Sequence, residues 1–111
     1  MSANVNTLHW STNSVQVIND SGTLLIYGSN KDSSIIKIQM PLNIKPGTYH
    51  FGGGVSIFYI NAKNLNIGIG GTLVITLNSQ NVIAGTFTST IYTRWGQLLY
   101  PINNGSFCMN Y

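Results

Sequence analysis

Residues 72–93 read Thr-Leu-Val-Ile-Thr-Leu-Asn-Ser-Gln-Asn-Val-Ile-Ala-Gly-Thr-Phe-Thr-Ser-Thr-Ile-Tyr-Thr, and their pattern decides the fold. In 72–78, Leu73, Ile75 and Leu77 alternate with Thr72, Thr76 and Asn78. Period-two alternation puts one set on each face of an extended strand. After the turn-forming run Asn78-Ser79-Gln80-Asn81 the alternation resumes: Ile83, Phe87 and Ile91 fall on one face, Thr86, Thr88, Thr90 and Tyr92 on the other. Two such segments across a short turn are a β-hairpin with one buried side. Gly85 interrupts the apolar set and predicts a bulge or a bend.

The same pattern extends outward in both directions. Ile36, Ile38 and Met40 oppose Lys37 and Gln39, and Phe107, Met109 and Tyr111 alternate with Ser106, Cys108 and Asn110. Helix formers are scarce: Ala, Glu, Lys, Gln and Arg total 12 residues, against 30 of Ile, Val and Thr. Turn signals such as Asp20-Ser21-Gly22, Lys45-Pro46-Gly47, Gly52-Gly53-Gly54, Gly70-Gly71, Trp95-Gly96 and Asn103-Asn104-Gly105 recur at short intervals. Strands are expected at 3–6, 14–19, 23–29, 34–40, 47–51, 56–61, 72–78, 82–93, 97–102 and 106–111, with 64–69 as an additional edge strand. The fold class is all-β: an antiparallel β-sandwich of about nine to ten short strands joined mostly by hairpins. Residues 1–111 form a single domain, without a linker or an internal repeat.

Charge is the most unusual feature of the composition. Only Lys31, Lys37, Lys45, Lys63, Arg94, Asp20 and Asp32 carry it, where an average chain of 111 residues would have roughly 28 such residues. Asn (14), Ser (11) and Thr (10) take their place, so the solvent faces of the strands are expected to be Thr, Ser and Asn. Five thinly spread cations make no phosphate-binding cluster, which excludes nucleic acid as a partner. Cys108 stands alone, so no intrachain disulfide forms. No apolar run is long enough for a transmembrane helix, and among the expected strands only 82–93 reaches the roughly 9 to 11 residues of a membrane-spanning strand.

The order of the motifs resembles a known family. Trp10, then Gly22-Thr23-Leu24-Leu25-Ile26-Tyr27-Gly28, Ser34-Ile35-Ile36-Lys37-Ile38 and Ile44-Lys45-Pro46-Gly47-Thr48-Tyr49, is similar to the first half of small β-sandwich domains in Bacteroidetes cell-surface lipoproteins. Gly71-Thr72-Leu73-Val74-Ile75-Thr76, Val82-Ile83-Ala84-Gly85-Thr86-Phe87 and Ile102-Asn103-Asn104-Gly105-Ser106-Phe107 match the second half in the same order. The resemblance implies a β-sandwich of unknown function in an extracytoplasmic protein, at the cell surface or in the periplasm. It supplies no functional residues. Met1-Ser2-Ala3-Asn4 is polar and no apolar signal segment follows, so this location requires a signal peptide that the sequence does not show.

No catalytic constellation is expected. Asp20 and Asp32 both fall in turns, where Asx hydrogen bonds account for them, and no further carboxylate is available for paired acid–base chemistry. His9, His50 and Cys108 lack the close spacing of metal ligands or of a nucleophile with its base, so no metal and no cofactor is expected. Aromatic residues are the remaining candidates, because Tyr and Trp offer a large apolar face with a polar handle. Trp95 and Arg94 in the turn 94–96, and Tyr59 within the strand 56–61, are the expected binding residues, whereas Trp10 is expected to plug the core. The leading functional expectation is a non-catalytic structural or binding domain of a surface protein, acting on another protein or on copies of itself. Alternatives are a carbohydrate-binding module that stacks sugar on exposed aromatics, and a phage or injection-machine decoration protein.

Overall fold

The computed structural model describes residues 1–31, 34–61, 64–93 and 95–111, with backbone alone at 98–100. Ten strands follow one another: β1 (Ser2–Val5), β2 (Leu8–Ser11), β3 (Ser14–Asp20), β4 (Thr23–Ser29), β5 (Ile35–Pro41), β6 (Gly47–His50), β7 (Ser56–Asn61), β8 (Asn64–Ser79), β9 (Val82–Tyr92) and β10 (Leu98–Asn110). All pairings are antiparallel and belong to one sheet, in the order β2-β1-β10-β9-β8-β7-β5-β4-β3, with β6 beside β8. The protein is therefore all-β and antiparallel, as expected.

The sheet is curled. Its first and last strands in spatial order, β2 and β3, are consecutive in the chain and joined by Thr12 and Asn13 alone. Three residue steps span at most about 11 Å, so the two ends of the sheet must meet at this corner. Thr12 fastens it: its backbone N–H donates to the Met1 carbonyl at 3.0 Å, and its hydroxyl donates to the Ser29 carbonyl. The layers of the expected sandwich are thus two halves of a single sheet folded over one core. Strand β8 belongs to both halves, pairing with β7 at residues 64–67 and with β6 at 72–75, while β9 runs along its other side.

Tight turns of one kind build the hairpins. Asn6-Thr7, Ser21-Gly22 and Gln80-Asn81 each have positive φ at both residues and connect directly paired strand ends, the geometry of a type I′ turn. The β1–β2 hairpin went unforeseen because Thr7, at φ 70°, is β-branched and gives no turn signal. Two glycine-containing segments expected to reverse the chain are bulges instead. At Gly70-Gly71 and at Asn103-Asn104 the register against β9 shifts and the strand continues, so 64–69 and 72–78 merge into β8, and 97–102 and 106–111 into β10. Three strands, β8, β9 and β10, accordingly exceed ten residues.

The core fills the inside of the curl. Leu24 and Ile26 of β4, Ile36, Ile38 and Met40 of β5, Ile57 of β7, Leu73 and Ile75 of β8, Ile83, Phe87 and Ile91 of β9, and Ile102 and Phe107 of β10 form one buried cluster. Trp10 closes its end, 4% exposed, with its indole N–H donating to the Ser34 hydroxyl at 2.9 Å. Leu77 departs from the expected face: a second shift in register, between Ile75 and Leu77, turns it outward into solvent.

Candidate functional site

Alternation along each strand sets which side chains point away from the core. Ladder register then aligns them across strands. One outward row runs Gln16, Tyr27, Lys37, Phe58, Ile67 and Tyr92 across β3, β4, β5, β7, β8 and β9. A neighbouring row carries Ile35, Ile60 and Leu65, and Ile18 with Leu25 lies on the other side of the first. The Lys37 ammonium sits 5.5 Å from the Tyr27 ring centre and 5.2 Å from that of Phe58, bracketed by two π faces. These rows are mostly apolar, and among the described residues of β4, β5, β7 and β8 the one charged side chain, Lys37, is held against aromatic rings.

The apolar face is most open along β8. Leu65, Ile67 and Ile69 are 54%, 40% and 54% exposed, three successive outward residues of one strand. Trp95, 82% exposed, lies in the turn that follows β9, whose last residue Tyr92 pairs with Ile67. Together Leu65, Ile67 and Ile69 present on the order of 250 Å² of apolar surface in one row. The other half of the sheet differs. On β9 and β10 the outward residues include Thr86, Thr88, Asn103 and Ser106, the neutral polar face that composition leads one to expect everywhere. The expectation of Thr, Ser and Asn on all solvent faces is thus corrected for the β4-β5-β7-β8 half.

Of the expected binding residues, Trp95 and Tyr59 are not brought together. Trp95 is exposed in its turn, where its backbone N–H and that of Gln97 donate to the Thr93 hydroxyl at 3.3 and 3.1 Å. Tyr59 is a correction: it is 6% exposed and faces the core opposite Asn66, so its ring offers nothing to a ligand. Arg94 lies outside the described residues. The face itself was missed, although a signal existed: Leu24-Leu25-Ile26-Tyr27 and Ile57-Phe58-Tyr59-Ile60 are apolar at both parities, which a strand with one solvated side is not.

A second feature is a cleft where the β5–β6 loop meets the β8–β9 turn. The Asn78 amide donates to the Leu42 and Ile44 carbonyls at 3.2 and 2.9 Å, and the Tyr111 hydroxyl donates to Asn78 Oδ1 at 2.5 Å. Tyr111 lines two adjoining depressions of about 450 and 300 Å³, which also share Leu42, Asn43 and Asn81. Their lining has amides, apolar groups, a phenol and, in the smaller depression, Lys45, with no Asp or Glu side chain.

Groups suited to catalysis stand apart. His9 on β2, His50 on β6 and Cys108 on β10 are exposed and occupy strands that are not neighbours. Asp20 ends β3 in solvent. Among the described residues no three of His, Cys, Asp and Glu converge, and no helix is long and apolar enough to cross a membrane.

A protein-family model described as a domain of unknown function, DUF6252, matches residues 1–109. No curated protein and no solved structure matches the chain.

Proposed function

The chain belongs to the DUF6252 family, whose description assigns no activity, and from its surface we propose that it is a non-catalytic contact module of an extracytoplasmic surface protein. It docks through the outer face of β4, β5, β7 and β8. The observation that carries this reading is the ladder of outward apolar residues, open along Leu65, Ile67 and Ile69. Side chains of this kind in a row are costly to leave in water, at about 25 cal/mol per Å², and a docked partner removes that cost. The partner surface is neutral and apolar, since among the described residues of β4, β5, β7 and β8 the face offers a single cation and no anion to a charged one. The outward location rests on the likeness to surface lipoprotein domains.

Photo-crosslinking tests the reading. A crosslinker placed at Ile67 is expected to capture a surface or secreted protein in the cells that make this domain, and one placed at Thr88, on the polar half, is expected to capture none. Equal yields at the two positions, or domain that stays inaccessible to protease on intact cells, would reject it.

Trp95 and the cleft beside Tyr111 favour a second reading, a carbohydrate-binding module. A pyranose ring stacks on an exposed aromatic face while its hydroxyls pair with neutral amides that both donate and accept, such as Asn43 and Asn81. A glycan array probed with wild type, Trp95→Ala and Tyr111→Ala decides it. Absence of binding by wild type removes this reading and leaves the first intact.

A further inference from the structure

Strand β3 ends the sheet without any of the devices that ordinarily protect a strand edge. Among the described residues it pairs with β4 alone, at all seven positions from Ser14 opposite Ser29 to Asp20 opposite Thr23, with no bulge. The N–H and C=O groups that alternate on its other side have no strand to meet. Soluble proteins blunt such an edge with lysine, proline, a bulge or short length, because it templates pairing with another extended chain. Ser-Val-Gln-Val-Ile-Asn-Asp contains none of these, and its only charge is at the last position. The opposite end of the sheet, β2, has four residues. On its inward side β3 borders, at Val17 and Asn19, an open depression of about 450 Å³ whose other walls are Leu42, Asn43, Asn81 and Tyr111; among the described residues no further strand pairs with its edge.

We propose that β3 pairs antiparallel with β3 of a second copy, about a two-fold axis at Val17, joining two curled sheets into one. The self-complementarity of the strand identifies the occupant. In this register Ser14 faces Asp20, Val15 faces Asn19 and Gln16 faces Ile18, each twice by symmetry, so no like charges meet across the axis. Inward and outward faces are both conserved: on the inside Val17, half-buried against the core, meets its own counterpart and Val15 meets Asn19, and on the outside Gln16 meets Ile18. Ile18, 43% exposed and opposite Leu25, sits at the margin of the apolar outer face, so pairing carries that face across the axis from one copy to the other. With seven formal charges per chain, two copies approach against little repulsion. The dimer stands on the strand edge and does not depend on what the outer face binds.

Light scattering coupled to size exclusion tests it on the full chain. Wild type is expected to show a concentration-dependent rise toward twice the 12.1 kDa of one chain. Gln16→Lys with Ile18→Lys sets lysine against lysine across the axis at two places and is expected to hold the mass at one chain. Gln16→Lys with Ile18→Glu sets opposite charges there and is expected to restore the dimer. A wild type that stays monomeric at its highest soluble concentration overturns the proposal, as does a dimer undiminished by the two lysines. Amide hydrogen exchange on the unaltered chain gives a readout free of folding defects. Amides of 15–19 are expected to gain protection with concentration, and protection independent of concentration overturns the proposal equally. Crosslinking from Ile67 to another protein would survive either failure.

Discussion

Gly71 stands where β8 bulges toward β9, at φ 82°, and a Cβ added to it would overlap the backbone of Thr88 and Ser89. Neither strain nor overlap is relieved by rotating a side chain, so Gly71→Ala is expected to lower unfolding free energy by about 2–4 kcal/mol. Gly53→Ala, in open space, is expected to change it by less than about 0.5 kcal/mol. Urea unfolding of the two variants checks the contrast, and equal midpoints would contradict the bulge geometry. At Trp10 the expected loss is of another kind. Trp10→Phe removes the donor that meets the Ser34 hydroxyl in a buried site and opens space at the end of the core, for about 2–3 kcal/mol together. Trp10 as a core plug was legible in the sequence. Tyr59 was not, because Ile57-Phe58-Tyr59-Ile60 is apolar at every position, and alternation has no polar partner from which to assign a face.

Strand β9 shows how far periodicity carries at the level of elements. Its buried Ile83, Phe87 and Ile91 against outward Thr86, Thr88 and Thr90 match the alternation read from the residues, because one side meets water and the other does not. Bulges mark where that reading stops. A glycine pair signals backbone freedom without saying whether the chain reverses or continues, and the partner strand decides. Since β9 is long enough to pair past both Gly70-Gly71 and Asn103-Asn104, β8 and β10 run on beside it as single strands. The candidate site was hidden for a related reason: its side chains come from four strands, and only the ladder register brings Ile67 beside Phe58. If Ile67 and Ile69 serve contact and not the core, replacing both by threonine should cost little. The double variant is expected to keep unfolding free energy within about 1 kcal/mol of wild type, while crosslinking from the adjacent Leu65 disappears. A loss several times larger would reassign these residues to folding stability.

Closure is a property of the whole chain. β1 and β10 lie next to one another in the sheet although they stand at opposite ends of the sequence, and Ser2 pairs with Ser106 with their hydroxyl oxygens 3.2 Å apart. Contacts this distant in sequence form late and are opposed by the entropy of closing a long loop. Nothing in the local pattern of 2–5 signals this partner, which is why most strands were legible, β2 excepted, and their order was not. The corner at Thr12 and the β1–β10 ladder hold the curl shut, and a covalent link at Ser2–Ser106 would remove the same entropy from the unfolded chain. In a Cys108→Ser background, Ser2→Cys with Ser106→Cys is expected to form a disulfide that closes a loop of about 100 residues and raises stability by up to about 4–5 kcal/mol. Thermal unfolding with and without reductant measures it. A raised midpoint that falls back on reduction is the expected result. Failure of the two thiols to join in the folded protein would mean that β1 does not lie against β10, and the curled sheet would have to be drawn without its N-terminal strands.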